Sequence, residues 1–187
     1  MKKTWLIFCL FSLTLLTACG MNKEESYPIQ PFTFTDQNHQ PFGSDQLKGK
    51  VWLANFIFTS CETVCPPMTA SMAELRAELK KEKLDVEVVS FSVDPSVDTP
   101  DVLKGFITKF TNDERNWHLL TGYSQQEIES FAREEFQTLI QKPKSSNQVI
   151  HSTSFYLIDQ NGKSVKHYGF QKTHYDEIIN DVKKLYE

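Results

Sequence analysis

From Val51 to Phe58 the chain reads VWLANFIF, a nearly continuous apolar run rich in β-branched and aromatic side chains. Such a run predicts a strand buried on both faces of a sheet. The period then changes. From about Pro66 to Lys81, Met68, Met72, Leu75 and Leu79 recur at helical spacing, and a proline at 66 or 67 suits a first helical turn. VEVVSFSV, Val86 to Val93, returns to strand, and DTPDVLKGFITKF, Asp98 to Phe110, opens a second helix with a capping residue ahead of Pro100. A short strand near Trp117 to Gly122 and a helix at about Gln125 to Glu134 continue the alternation. SFYLIDQNGKSVKHYGF, Ser154 to Phe170, reads as an antiparallel hairpin around DQNGK, and a last helix spans His174 to Leu185. Upstream, FTFTDQNHQPF, Phe32 to Phe42, alternates and turns as a small hairpin. Strand-helix-strand-helix order implies a parallel sheet.

Helices on both faces of a mixed central sheet, with an N-terminal hairpin and a C-terminal antiparallel hairpin, make the thioredoxin-like plan of an α/β protein. One domain is expected over residues 31–187, and no repeat or low-complexity segment competes with it. Ahead of it, residues 19–30 are mostly polar and lack periodicity, as a flexible tether does. Lys2 and Lys3 followed by TWLIFCLFSLTLLTA form a positive n-region and an apolar run too short for a comfortable membrane span, so residues 1–18 read as a secretion signal. LTAC, Leu16 to Cys19, resembles the lipobox of bacterial lipoproteins, in which the cysteine receives diacylglycerol; this implies lipidation of Cys19 and an anchor on the extracytoplasmic face of the cell membrane.

Without the signal, 169 of the 187 residues remain, enough for one sizeable core, with 18 basic against 24 acidic residues and a net charge of −6. Nothing here attracts nucleic acid: no basic patch interleaves with aromatics, and LKKEKLD at Leu79 to Asp85 is a charge-balanced, solvated helix end. Cys9 falls in the discarded segment and Cys19 carries lipid, which leaves Cys61 and Cys65 as the free thiols of an extracytoplasmic protein. A structural bridge is a poor explanation for that pair, because closing so short a loop removes little unfolded-state entropy.

The pair lies in FTSCETVCPP, with one residue more between the cysteines than the redox spacing Cys-x-x-Cys. That residue is compatible with a disulfide and also with room for a metal between the sulfurs. Cys61 should follow a central strand and Cys65 should open a helix, whose N-terminal partial positive charge is expected to activate both sulfurs. Because Cys65 precedes Pro66, the intervening Glu-Thr-Val is expected to be a loop.

FTSCETVCPPM, then SFSVDPSVDTP from Ser90 to Pro100, then VIHSTSFYLID from Val149 to Asp159, together resemble the Sco family, also called SenC, of membrane-tethered copper proteins. The resemblance spans essentially the whole mature domain. It implies copper, as Cu(I) or Cu(II), held by Cys61, Cys65 and His151. The implied role is help in assembling the Cu-A centre of cytochrome c oxidase subunit II, by copper delivery or by reduction of the target's cysteines, with an upstream copper donor or thiol reductant as further partner. Many members carry proline after the first cysteine, where this chain has Glu62; a change in loop stiffness or charge is expected, not loss of the site. Two thiolates and an imidazole are a small, soft set suited to copper. A zinc site of two cysteines, one histidine and a water stays open on ligand type.

His39, His118, His167 and His174 read as ordinary core or surface residues, and Met68 and Met72 as core packing rather than thioether ligands. Asp98, beside Thr99 and Pro100, reads as a helix cap, while Asp94 could orient the site or a partner. A second function class is a copper-independent extracytoplasmic thiol-disulfide oxidoreductase using Cys61 and Cys65 as a redox pair. A peroxidase ranks lower, since the cysteine loop has no arginine. A third class is a purely structural lipoprotein.

Overall fold

The computed structural model describes residues 26–187. The signal segment, Cys9 and Cys19 lie outside the described residues. Among the described residues eight strands form one sheet: β1 (Tyr27–Pro28), β2 (Thr33–Asp36), β3 (Pro41–Gly43), β4 (Val51–Ile57), β5 (Val86–Ser92), β6 (Trp117–Thr121), β7 (Ser154–Ile158) and β8 (Lys163–Gly169), in the order β1-β8-β7-β4-β5-β6-β2-β3. Its helices are α1 (Ser44–Leu47), α2 (Cys65–Lys81), α3 (Pro100–Ile107), α4 (Gln125–Glu135) and α5 (Tyr175–Leu185), the last preceded by a 3-10 turn at Lys172–His174. This is the mixed, thioredoxin-like sheet expected, with the β2–β3 hairpin at one side and the β7–β8 hairpin at the other. Among the described residues no helix is long and apolar enough to cross a membrane.

The parallel trio β4, β5 and β6 forms the centre, with Val51 opposite Val86 and Ile57 opposite Ser92. All seven residues of β4 and of β5 are buried, because helices cover both faces. On one face α2 supplies Met68, Met72, Leu75 and Leu79, all buried, as their helical spacing predicts. On that face Ser90 Oγ donates to Asn55 Oδ1 at 2.6 Å and receives Trp117 Nε1–H at 3.0 Å, while the Arg76 guanidinium lies 5.0 Å above the Trp117 ring. α5 docks beside α2, its Tyr175 hydroxyl donating to the Ser71 carbonyl at 2.7 Å.

Side chains alternate across a strand, so the neighbouring positions build a second core on the other face. There Phe56, Phe91, Phe131 of α4 and Phe136 pack with centroids 5.2 to 5.7 Å apart. Edge-on and tilted contacts dominate, the geometry that ring quadrupoles favour. β1 starts the sheet ahead of Pro31: Tyr27 and Pro28 pair with Ser164 and Lys163 of β8, inside the segment whose composition reads as tether. The β7–β8 turn closes at Gly162, whose φ of 73° is open to glycine without strain.

Candidate metal centre

β4 ends at Ile57, and the chain turns at once, the Cys61 amide donating to the Phe58 carbonyl at 3.3 Å. α2 then starts at Cys65 with prolines at its next two positions, which have no amide hydrogens to leave unpaired. The Cys65 amide is satisfied by Cys61 Sγ at 3.3 Å, and the Met68 amide by the Val64 carbonyl at 3.0 Å. No oxygen side chain caps this helix; the Cys61 sulfur takes that position.

The third group arrives from a different part of the chain. α4 ends at Glu135 and β7 begins at Ser154, and the intervening excursion folds back on itself where Gln141 and Ile150 exchange two backbone hydrogen bonds of 3.0 and 2.9 Å. His151 follows that bridge. Its Nδ1 donates to the Ser152 carbonyl at 2.8 Å, which leaves Nε2 with its lone pair 3.4 Å from Cys65 Sγ. The imidazole packs perpendicular to the Phe58 ring, centroids 5.5 Å apart. Cys61 Sγ, Cys65 Sγ and one His151 nitrogen all lie within 4.8 Å of one another. Metal–sulfur and metal–nitrogen bonds run about 2.0–2.3 Å, so one ion between these atoms needs only a small inward adjustment. Among the described residues this is the single such group, and it contains none of the other four histidines and neither aspartate.

The two sulfurs are not equivalent, which corrects the expectation that the helix start activates both. Burial pushes the Cys61 thiol up, but the amides of Cys65, Thr63 and Val64 and the Cys65 thiol outweigh it, so its pKa falls below the ordinary value. Cys65 is fully buried, and burial drives its pKa far up despite the Phe58 amide, with the charges of Cys61 and Asp98 adding to the effect. Desolvation defeats the helix terminus at Cys65 because its sulfur sits below the helix start with no solvent contact. His151 is lowered by burial against the opposing pull of the Ser152 carbonyl, which favours the neutral ring. The resting arrangement is therefore a thiolate-prone Cys61, a Cys65 thiol facing Nε2, and a neutral imidazole.

Asp98 also departs from its sequence reading. Thr99 caps α3, accepting the Val102 amide, and Asp98 instead points inward with no solvent exposure. It accepts from the Thr59 amide at 3.3 Å, the Thr59 hydroxyl at 2.5 Å and the Ser92 hydroxyl at 2.6 Å, and so ties the cysteine loop to the end of β5. Asp94, buried in the same loop, pairs with Lys142 at 2.6 Å. Thr59, Ser92 and Lys142 carry no motif that a single sequence reveals. The remaining histidines are occupied elsewhere: His39 faces Asp101, His174 faces Glu177, His118 stacks on Phe42 between Asp36 and Glu87, and His167 lies beside Tyr156.

Fold and site define a thioredoxin-like domain that presents a dithiol and a neutral imidazole at the strand ends of its sheet. The SCO1/SenC family model matches residues 21–187, and the chain belongs to that family. It is 56% identical to a SCO1/SenC family lipoprotein from Bacillus anthracis, whose crystal structure superposes with a TM-score of 0.84 over 86% of this chain and 96% of that one. The structure of BsSco, a member of the Sco family of cytochrome c oxidase assembly proteins with an identified disulfide switch, matches at 49% identity and a TM-score of 0.79, covering 86% and 94% of the two chains. Arabidopsis thaliana ScoI with copper bound matches at 29% identity and a TM-score of 0.72, over 86% and 98%.

Proposed function

We propose that this protein binds copper through Cys61, Cys65 and His151 and serves assembly of the Cu-A centre in cytochrome c oxidase subunit II. The observation that carries the reading is the convergence of two free thiols and one imidazole nitrogen within 4.8 Å. The donor set fits the cargo: two sulfurs and one nitrogen are soft ligands suited to Cu(I), and a closed structural zinc site would call for a fourth protein ligand. Support comes also from relatives, one crystallised with copper and one belonging to a family of oxidase assembly proteins. Lipidation at Cys19, with residues 1–18 removed and the residues ahead of β1 as tether, would hold the domain at the outer face of the cell membrane; the similarity to a Bacillus anthracis lipoprotein favours this anchor.

Each side chain has a distinct task in this reading. Cys61, capping α2, offers the sulfur that deprotonates first; Cys65 must give up its proton before its sulfur can hold a cation. Ser152 fixes the imidazole so that Nε2 keeps its lone pair toward the sulfurs. The unequal thiols also suit electron delivery to the target. The Cys61 thiolate attacks a target disulfide and releases one target thiolate; Cys65, once deprotonated, attacks the Cys61 sulfur, releases the second and leaves a Cys61–Cys65 disulfide, so two electrons pass to the target.

Copper titration of the reduced full chain tests the ligand set. Thiolate-to-Cu(II) charge-transfer bands are expected, and His151→Ala should weaken binding by at least the ~10- to 100-fold that loss of a ligand's supporting partner costs. Undiminished copper affinity and oxidase maturation in that variant, with exchange activity following the cysteines alone, would leave a thiol-disulfide oxidoreductase as the function.

A further inference from the structure

We propose that Lys142 is a positioning residue for His151: its ion pair with buried Asp94 latches the excursion carrying the imidazole onto the loop that also anchors the cysteines. The inference rests on the reading of His151 as a ligand. Residues 137–153 contain no strand or helix, so little regular structure holds the imidazole where it is. Two devices do so. The first is the Gln141–Ile150 backbone bridge, which sets the neck of the excursion directly before His151. The second is Lys142, next to that neck. Its Nζ lies 2.6 Å from Asp94 Oδ1 and 3.1 Å from Ser96 Oγ, and its amide donates to Glu129 Oε1 at 3.2 Å.

The receiving end is rigid. Asp94 is 2% exposed, takes a further bond from the Ser96 hydroxyl at 2.7 Å, and donates its own amide to Ser92 Oγ at 3.1 Å. Ser92 in turn donates to Asp98, and Asp98 receives Thr59, two residues ahead of Cys61. Imidazole and sulfurs thus take their positions from one loop between β5 and α3, through Asp94 on one side and Asp98 on the other. The carboxylate of Asp94 is engaged by Lys142 and Ser96, outside the group of converging sulfur and nitrogen atoms, so it acts through the loop and not as a ligand. An ion pair with one buried partner is well suited to the task, since breaking it strands the buried charge and the excursion gains little by detaching.

The test uses Lys142→Met, which removes the charge from a partly exposed side chain, and Lys142→Arg, which keeps it. Two readouts on the full chain in detergent separate the latch from the ligand reading. In the reduced, metal-free protein, exchange protection of the Ile150 amide, which bonds the Gln141 carbonyl, should fall about tenfold or more in Lys142→Met and recover in Lys142→Arg. In the copper-loaded protein, release to a competing chelator should quicken by about 10- to 100-fold in Lys142→Met. In a His151→Ala background the same change should add almost nothing. Unchanged Ile150 protection in Lys142→Met overturns the latch. An undiminished effect of Lys142→Met on copper release in the His151→Ala background overturns its action through the imidazole. If His151→Ala itself leaves copper release unchanged, the ligand reading falls, and with it the latch's purpose, whatever the amide shows.

Discussion

Asp98 carries a carboxyl group with no solvent exposure whose hydrogen-bond donors, the Thr59 amide, the Thr59 hydroxyl and the Ser92 hydroxyl, are all neutral. Burial raises its pKa above the ordinary carboxylate value, outweighing the Ser92 and Thr59 bonds, and the nearby charge of Asp94 adds to the rise. A carboxyl raised in the folded state binds its proton more tightly there than in the unfolded chain. Its contribution to stability is therefore complete below the unfolded value near pH 4 and is lost as pH climbs through the folded value. The loss is about 1.4 kcal/mol for each unit of displacement. Asp98→Asn removes this titration but places an amide N–H2 against groups that donate. One unsatisfied or clashing donor costs about 1–3 kcal/mol at every pH. The variant should thus be less stable than the parent at pH 4, with the gap narrowing toward pH 7.5. Urea unfolding of reduced, metal-free protein across that range measures it, read as the midpoint at constant slope. Titrations shared by both proteins cancel in the difference. A gap that stays constant or widens with pH would refute the claim that desolvation dominates at Asp98.

Iodoacetamide at pH 7–8 should modify Cys61 well before Cys65, since each unit separating two thiol pKa values is about a tenfold difference in thiolate, and the two shift in opposite directions; equal labelling by peptide mass spectrometry would contradict the assigned asymmetry. Met72→Ala, at a position with no solvent exposure under the sheet, should cost about 2–5 kcal/mol in chemical denaturation. A loss below 1 kcal/mol there would mean that α2 packs more loosely than described.

The elements most legible in the sequence were those whose burial is set by period. Val51–Ile57 is buried at every residue, as an unbroken apolar run implies, and Met68, Met72, Leu75 and Leu79 face the sheet as their spacing implies. The meeting of His151 with the cysteines was legible mostly through resemblance, because 86 residues separate it from Cys65 and no local pattern relates them. The difference between the thiols was not legible. It depends on how deep Cys65 sits, and a helix-terminus argument applied to both sulfurs cannot register depth. Asp98 misled for a related reason: a strand-end aspartate beside Thr99 and Pro100 has the composition of a cap, and only the closure of β4 against β5 turns it inward toward Thr59. Lys142 lies 48 residues from Asp94 in an aperiodic stretch, where neither propensity nor spacing marks a contact.

Topology explains why the chemistry gathers at this end of the sheet. β4 and β5 run parallel with Ile57 opposite Ser92, so the loops leaving both strands emerge side by side. β7 runs antiparallel to β4, so the segment entering β7 arrives at the same edge. Three segments distant in sequence must meet there whatever side chains they carry: the cysteines leave β4, the aspartates leave β5, and the histidine approaches β7. Ligand crevices outside the carboxyl ends of parallel strands follow the same rule. The loops carry both the site and part of the core, since Phe58, Val93, Ile140 and Val149 are buried in it together with Phe56, Phe91 and Phe136 on one face and α2 on the other. Changes at exposed positions of these loops can retune thiol acidity and the donor set at small cost to the fold, and Glu62 is one such place: exposed, between Cys61 and Cys65 in sequence, and outside the core.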